Sequence, residues 1–360
     1  MNPQLRIKWE KVGIITILYI VIGTLMPLMN RILLHSNYSL GPSEEYVFSL
    51  DVFTGMFAGL SGGFLGGLVL VFIINEKARR KPFGYGILLT AIFFVLIYYF
   101  TSFSVAFILE VKKSGLSPFH PEVIQSVLLW VTAPTAMVAF VHWGLVVICT
   151  QFMLQVNDKF GQGILRNFLI GKYHKPSRER RIFMFLDIKS STTIAEKIGH
   201  NKYFKLLRDF YSDITSAIIS TKGEVYQYVG DEIVVSWKMK NGLKHSNCIE
   251  CFYQIKNEIE NLSERYSSLY GLVPKFKAGY HLGEVTAGEI GIMKRDIIYS
   301  GDVLNTCARI QEQCNHYNVD ILVSEELINS VENRWVKRAK KLGDITLRGK
   351  DEKVGIYTLL

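Results

Sequence analysis

Cysteine is scarce in this chain and poorly placed for metal or disulfide chemistry. Cys149, Cys248, Cys251, Cys307 and Cys314 are the only five among 360 residues. Cys248 and Cys251 form a single CxxC, one helical turn apart, and no second pair stands at zinc-ligand spacing. A structural zinc site takes four ligands, so zinc is set aside in favour of reduced, partly buried thiols in a cytosolic domain. Acidic residues are also short, with 32 Asp and Glu against 41 Lys and Arg and a formal net charge of +9. That excess suits either a nucleic-acid binder or a membrane protein with basic cytoplasmic loops. The second reading is preferred and no nucleic-acid partner is expected, because charge is nearly missing from long runs before about residue 155. The first run also lacks a clear small-residue cleavage site, so it reads as an anchor rather than a signal peptide.

What is present is apolar and front-loaded. Hydrophobic residues make up 49% of the chain. Four stretches, roughly Val12–Met29, Val52–Ile74, Phe83–Ile108 and Val123–Phe152, each supply the ~20 residues that cross a ~30 Å hydrocarbon layer. Arg6, Lys8 and Lys11 precede the first stretch, and Lys77, Arg79, Arg80 and Lys81 follow the second. Lys172, Lys175, Arg178, Arg180 and Arg181 follow the fourth, whereas the loop after the first carries Glu44, Glu45 and Asp51. Lys112 and Lys113 after the third are a mild contrary signal. The positive-inside rule then gives a multi-pass protein of the inner (plasma) membrane, with its N-terminus and soluble half cytoplasmic.

Span two carries Gly55, Gly59, Gly63 and Gly67 at intervals of four, with Gly62 and Gly66 beside them. Such a file lets another backbone approach closely, either within the bundle or across a dimer. His142, beside Trp143, is expected to pack helices through a hydrogen bond; haem ligation would need a second mid-membrane ligand, and none is apparent. The expected organisation is a four-helix transmembrane domain over 1–155, a basic linker over 156–180 and a soluble domain over 181–360. The linker's basic run can also meet anionic headgroups.

Two aspartates dominate the soluble half. Asp187 ends the apolar run Ile182–Leu186, and Asp231 sits at the tip of a hairpin reading Tyr228-Val229-Gly230-Asp231-Glu232-Ile233-Val234. Carboxylates aimed at one spot repel unless a cation lies between them, and Mg²⁺ favours one or two carboxylates plus phosphate oxygens. Thr193-Ile194-Ala195-Glu196 reads as a capping box, with Gly199 ending a short helix. Helical spacing follows over Tyr203–Ser220 and Asn247–Leu269, strands over Phe276–Leu282 and Val285–Ile290, a helix over Val303–Gln313, and a closing strand over Lys353–Leu360. This βαββαβ order predicts a ferredoxin-like α+β fold.

Residues 181–360 resemble a class III nucleotidyl cyclase catalytic domain. The resemblance rests on Phe185-Leu186-Asp187-Ile188 with Ser191-Thr192, Gly230-Asp231-Glu232, His281-Leu282-Gly283-Glu284-Val285 with Gly288, and Gly301-Asp302-Val303-Leu304-Asn305-Thr306-Cys307-Ala308-Arg309, in that order. It implies two Mg²⁺ or Mn²⁺ ions per site, held by Asp187, Asp231 and Ile188. Asn305 would orient the ribose, Arg309 would stabilise charge on the α-phosphate, and Ser191, Thr192 and Lys350 would meet the phosphates. His281 is given a structural role.

The chain departs from the family at the base-selecting pair. Four before the second aspartate, adenylyl enzymes usually have lysine and guanylyl enzymes glutamate; here the residue is Gln227. Three before Gly301, where aspartate, threonine or cysteine is usual, stands Ile298. Without a glutamate to accept from guanine, ATP is the expected substrate and cyclic AMP the expected product. The family builds each site from two chains, which implies a homodimer. A guanylate cyclase and a catalytically silent signalling module are the alternatives; a diguanylate cyclase would need a GGDEF-like hairpin that is lacking.

Overall fold

The computed structural model describes residues 3–37, 48–78, 81–160, 170–292, 295–346 and 353–360. The chain divides into two compact units, Met1–Phe160 and Gly161–Leu360.

The first unit is helical. Helix α1 runs from Pro3 to Asn37 and α2 from Phe48 to Leu68, continuing through a π-helical turn at Val69–Ile74 to Ala78. Helix α3 spans Phe83–Ser114, α4 Pro121–Thr132 and α5 Pro134–Phe160. Four segments are long and apolar enough to cross a membrane: Leu5–Ile32, Phe48–Ala78, Gly84–Ser114 and Pro134–Asn157. The fourth differs from the expected Val123–Phe152. Pro134 has no N–H to donate and forces Ala133 into extended backbone (ψ 149°), so the apolar run breaks there and α5 starts afresh with proline at its head.

The two glycine files on α2 have different fates. Gly55, Gly59 and Gly63 lie against the α1 backbone, where a Cβ on them would collide with Gly23, Tyr19 and Thr16 respectively. The close-approach face is thus consumed within the chain rather than left for a dimer. A Cβ on Gly62 or Gly66 would meet nothing within 4 Å. His142 lies edge-on to Trp143, and its buried Nε2 has no hydrogen-bond partner among the described residues, contrary to the expected hydrogen bond.

The second unit is a sheet with helices on both faces. Strands β1 (Ser177–Ile188), β2 (Glu224–Val229), β3 (Glu232–Lys238) and β4 (Phe276–Ile290) lie in the order β2-β3-β1-β4, each pair antiparallel. That is the ferredoxin-like arrangement. Strand β5 (Asp296–Ser300) pairs with β4, and β6 (Ile321–Ser324), β7 (Ala339–Thr346) and β8 (Lys353–Leu359) extend the sheet as β4-β6-β8-β7. The two strands expected within 276–290 are one continuous strand.

Helices α6 (Ser191–Ile198), α7 (His200–Ser220), α8 (Asn247–Asn261), α9 (Ser263–Tyr270) and α10 (Asp302–His316) cover the sheet. The expected capping box is not formed. Helix α6 begins three residues earlier than the box implies, so Thr193 lies inside it, and the capping residue Ser190 is left-handed (φ 56°) with no side-chain cap bond. Gly199 does end the helix, donating to the Ala195 carbonyl.

Strand β1 is buried on both sides, which explains its unbroken apolar run. Ile182, Met184, Leu186 and Ile188 share a core with Leu206, Phe210 and Ile214 of α7 and with Phe252 and Ile255 of α8. Phe183 and Phe185 face the other way and pack with Val303 and Cys307 of α10. Period two therefore directs Asp187 to the α10 side. Glycine at 279 is what lets α10 come so close, because a Cβ there would strike the Gln311 backbone.

Gly59→Leu should force α1 and α2 apart and lower stability by about 1–3 kcal/mol, the usual range for overpacking. Gly62→Leu, three residues away and facing open space, should leave the thermal midpoint in lipid nanodiscs unchanged. Equal losses from both substitutions would contradict this division of the two glycine files.

Candidate functional site

The site forms where three strands end together. In register, Asp187 on β1 stands opposite Glu232 on β3 and Lys277 on β4. Side chains directly opposite share a face, so an acid, an acid and a base form a row across the sheet. Asp231 occupies the β2–β3 turn beside Gly230, whose positive φ of 62° makes the reversal. From there its carboxyl reaches hydrogen-bonding distance of Asp187.

Only part of this negative charge is compensated. Lys277 is buried, and its Nζ lies 3.4 Å from Asp187 Oδ2. Gln311 of α10 donates to the same oxygen at 3.2 Å. Burial, then the neighbouring Asp231, push Asp187 up to about 6, against the pull of Lys277 and Gln311. Burial, then the charges of Asp187 and Asp231, push Glu232 up to about 7. Tyr203 of α7 rises to about 12, through burial first and the Asp231 charge second. Tyr211 donates to the Gly230 carbonyl at 3.2 Å and braces the turn.

This donor set suits a hard divalent cation. Two carboxylates converge with less positive charge around them than they need, and Mg²⁺ is usually bound by one or two carboxylates completed by waters and substrate phosphates. No cluster of three or more His, Cys, Asp or Glu able to hold a metal occurs among the described residues. Oxygen ligands from a substrate would therefore have to finish the shell. Ile188, the last residue of β1, directly follows Asp187, and helix α6 opens three residues on with Ser191 and Thr192 in its first turn. Free N–H groups at a helix start favour phosphate oxygens.

The other expected residues lie elsewhere. Asn305 and Arg309 are on α10, with Asn305 exposed and Arg309 half-buried, while Val303, Thr306, Cys307 and Ile310 turn inward. Neither has a hydrogen bond or ion pair to Asp187 or Asp231 among the described residues. Gln227 on β2 and Ile298 on β5 are both exposed. Their neighbours Tyr226 and Tyr299 meet, with the Tyr299 N–H donating to Tyr226 Oη at 3.3 Å and ring centroids 4.9 Å apart. Tyr226 is the bulged residue of β2, which re-aims the strand around Gln227. Arg181, buried and paired with Glu179 and Glu224, lies 4.7 Å from the Tyr299 ring centroid and supports it from behind. His281 is buried in the core, 2.9 Å from Ser324 Oγ. Lys350 and the segment Leu347–Lys350 fall outside the described residues.

Sequence reasoning passed over Glu232, Lys277 and Gln311. A lysine at the start of the mainly apolar stretch Phe276–Leu282 was a usable signal for the second. Gln311 needed the helix–sheet approach at Gly279, which no local pattern reveals.

A pH dependence follows. Asp187 and Glu232 have folded values of about 6 and 7, above their ordinary 3.8 and 4.5. Between pH 4 and 7 the folded chain thus binds more protons than the unfolded one, and their contribution to stability falls as pH rises through that window. Without divalent cation, Glu232→Gln should gain thermal stability over the wild type between pH 5 and 7.5. A wild-type-minus-variant difference that stays flat with pH would contradict the crowded-carboxylate account.

Comparison with known proteins places the second unit in a family. The model of the adenylate and guanylate cyclase catalytic domain matches residues 174–360. Adenylate cyclase 2 of Rhizobium meliloti is 32% identical over 208 residues, covering 58% of this chain and 57% of that protein. An adenylate cyclase of Anabaena cylindrica is 25% identical over 190 residues, 50% of this chain and 37% of that one. The chain thus spans little more than half, or less, of these relatives' length. A bacterial light-regulated adenylyl cyclase structure superposes with a TM-score of 0.54 at 20% identity, covering 64% of this chain and 67% of that one, which is a likeness of fold. Since the domain match takes in more than half of the residues, the chain belongs to the adenylate and guanylate cyclase catalytic domain family.

Proposed function

We propose that this chain is a membrane-anchored adenylate cyclase that converts ATP to 3′,5′-cyclic AMP and pyrophosphate as a homodimer. The observation that carries the reading is the approach of Asp231, in the β2–β3 turn, to Asp187 at the end of β1, with Lys277 the one cation paired to Asp187 among the described residues. The four-span anchor takes in residues 1–160 and the catalytic domain 174–360, with the basic linker between them, which moves the expected limits of 155 and 181 because the last long helix ends at Phe160 and β1 begins at Ser177. The termini face the cytoplasm of an inner (plasma) membrane protein, as the basic loops favour.

Asp187, Asp231 and the Ile188 carbonyl would hold two Mg²⁺ or Mn²⁺ ions. When bound, these would make the ribose 3′-hydroxyl easier to deprotonate and neutralise charge on the triphosphate. Ser191, Thr192 and the N–H groups opening α6 receive phosphate oxygens, with Lys350 as a further phosphate ligand. Asn305 orients the ribose, and the Arg309 guanidinium fork stabilises charge gathering on the α-phosphate. Both stand apart from their own chain's aspartates, which supports a site completed by a second chain. A head-to-tail dimer gives two such sites.

Gln227 and Ile298 select the base. A glutamine amide offers both donor and acceptor, so it accepts adenine without the carboxylate that would suit guanine. Purified full-length protein with Mg²⁺ or Mn²⁺ should yield cyclic AMP from ATP in excess over cyclic GMP from equal GTP. Gln227→Glu should shift the ratio toward GTP. Dominant cyclic GMP from the unmodified chain would overturn the base assignment.

Asp187→Ala and Arg309→Ala should each lower kcat by about 10²–10³-fold or more, the usual cost of losing one preorganised electrostatic group. Mixed, the two variants should regain activity through heterodimers with one intact site. A mixture as inactive as either variant alone would sink the shared-site model.

A further inference from the structure

Arg181 is a buried cation that the acidic row does not use. Its side chain is 1% exposed. It shares a face of β1 with Asp187, but six residues, about 20 Å of strand, separate the two. Its polar contacts lie at the other end of the strand. Nε donates to Glu179 at 2.8 Å, and Nη1 donates to Glu224 at 2.9 Å and to Ser236 at 3.0 Å. Nη2 donates to the Tyr173 hydroxyl at 3.5 Å. Lys172 also meets Glu179, at 2.7 Å, so two acids face two bases. A buried ion pair rarely adds stability over an apolar core, because desolvation offsets the attraction. What this cluster supplies is a fixed geometry.

That geometry bears on β2 and β5, the strands that carry Gln227 and Ile298. Among the described strands β2 pairs with β3 at one edge of the sheet and β5 pairs with β4, so no backbone ladder joins β2 to β5. Side chains do. The Tyr299 N–H donates to Tyr226 Oη, and the two rings pack against each other. Arg181 holds both ends of this bridge. Glu224 and Ser236 stand opposite each other in register and both accept from Nη1, which fixes β2 two residues before the bulge at Tyr226. The guanidinium also lies over the Tyr299 ring, which Phe183 meets edge-on at 5.6 Å. Burial alternates along β5, so Tyr299 turns inward and its neighbour Ile298 outward. Tyr226 is likewise half-buried, and its neighbour Gln227 is exposed.

We propose that Arg181 is a specificity-determining positioning residue: it fixes the Tyr226–Tyr299 bridge, and through it the placement of Gln227 and Ile298 against the nucleotide base. It touches neither the base nor the phosphates. A lysine at 181 keeps the charge but not the planar fork that reaches Glu179, Glu224 and Ser236 while lying against a ring. The bridge then loosens, and adenine and guanine are admitted more nearly alike. Discrimination is a difference of two affinities, so it is lost by loosening before the chemistry at the α-phosphate is. This role rests on the assignment of Gln227 and Ile298 to the base.

Full-length wild type, Arg181→Lys and Tyr226→Phe would be compared for cyclic AMP formed from ATP, for cyclic GMP formed from GTP, and for the affinities of fluorescent methylanthraniloyl ATP and GTP. Tyr226→Phe keeps the ring and removes only the oxygen that accepts from Tyr299. In both variants the preference for ATP should fall about fivefold or more, through KM and analogue affinity, with kcat for ATP within about twofold of the wild type. Ile255→Val, in the core on the other face of the sheet, should lower the thermal midpoint and leave the preference unchanged. Should Arg181→Lys misfold, Glu224→Gln decides, because it leaves the core intact and weakens the hold of Arg181 on β2. A preference unmoved in the folded variants overturns the proposal. So does a loss carried by kcat and equal for both nucleotides, an equal shift from Ile255→Val, or a wild type that binds both analogues alike. A wild type that prefers the ATP analogue yet forms no cyclic nucleotide sinks the cyclase reading instead, and the affinity ratio still decides the role of Arg181.

Discussion

The catalytic half is organised around a charge that the protein does not fully cancel. Strand alternation commits Asp187 to the α10 face, and register puts Glu232 directly across from it. The turn at Gly230 adds Asp231. Against three acids the sheet supplies Lys277, and α10 supplies the amide of Gln311. Burial first, and this imbalance second, raise the carboxyl values of Asp187 and Glu232 in the resting chain. A site in this condition gains more from a cation than a balanced one would, and that gain is available for binding a substrate that brings its own phosphate oxygens.

The helical half rests on a different constraint, the spacing of backbones. Three glycines of α2 bring α1 into direct backbone contact, and two more leave an opening on another side. One helix thus both closes and opens the bundle, by steps of three and four residues. Proline at 134 ends one apolar segment and begins another, so the last candidate span is shorter than hydropathy alone suggests.

The elements that were legible in the sequence are those whose signal is local. Asp187 at the end of an apolar run, Asp231 at a hairpin tip, and Asn305 and Arg309 one helical turn apart could all be placed from spacing and motif order. The βαββαβ succession gave the order of the first four strands. What escaped depends on distant pairings. Lys277 matters because β4 runs beside β1 in one particular register. Gln311 matters because Gly279 permits contact with the sheet. Thr193 and Glu196 looked like a cap because their spacing fits one, but the helix began at Ser191, after a left-handed Ser190. In the helical half, a long apolar run concealed the break that Pro134 imposes.

Gln311 has a further consequence. It holds Asp187 of its own chain, yet it stands on the helix that carries Asn305 and Arg309, two residues away from Arg309. In the proposed dimer those two side chains serve the opposite catalytic centre. A single amide therefore ties the acidic half of one centre to the cationic half of the other through one rigid rod. In that proposed dimer, a carboxylate that shifted on loading would pull on a helix whose far side served a different nucleotide, and the two centres would then not turn over independently.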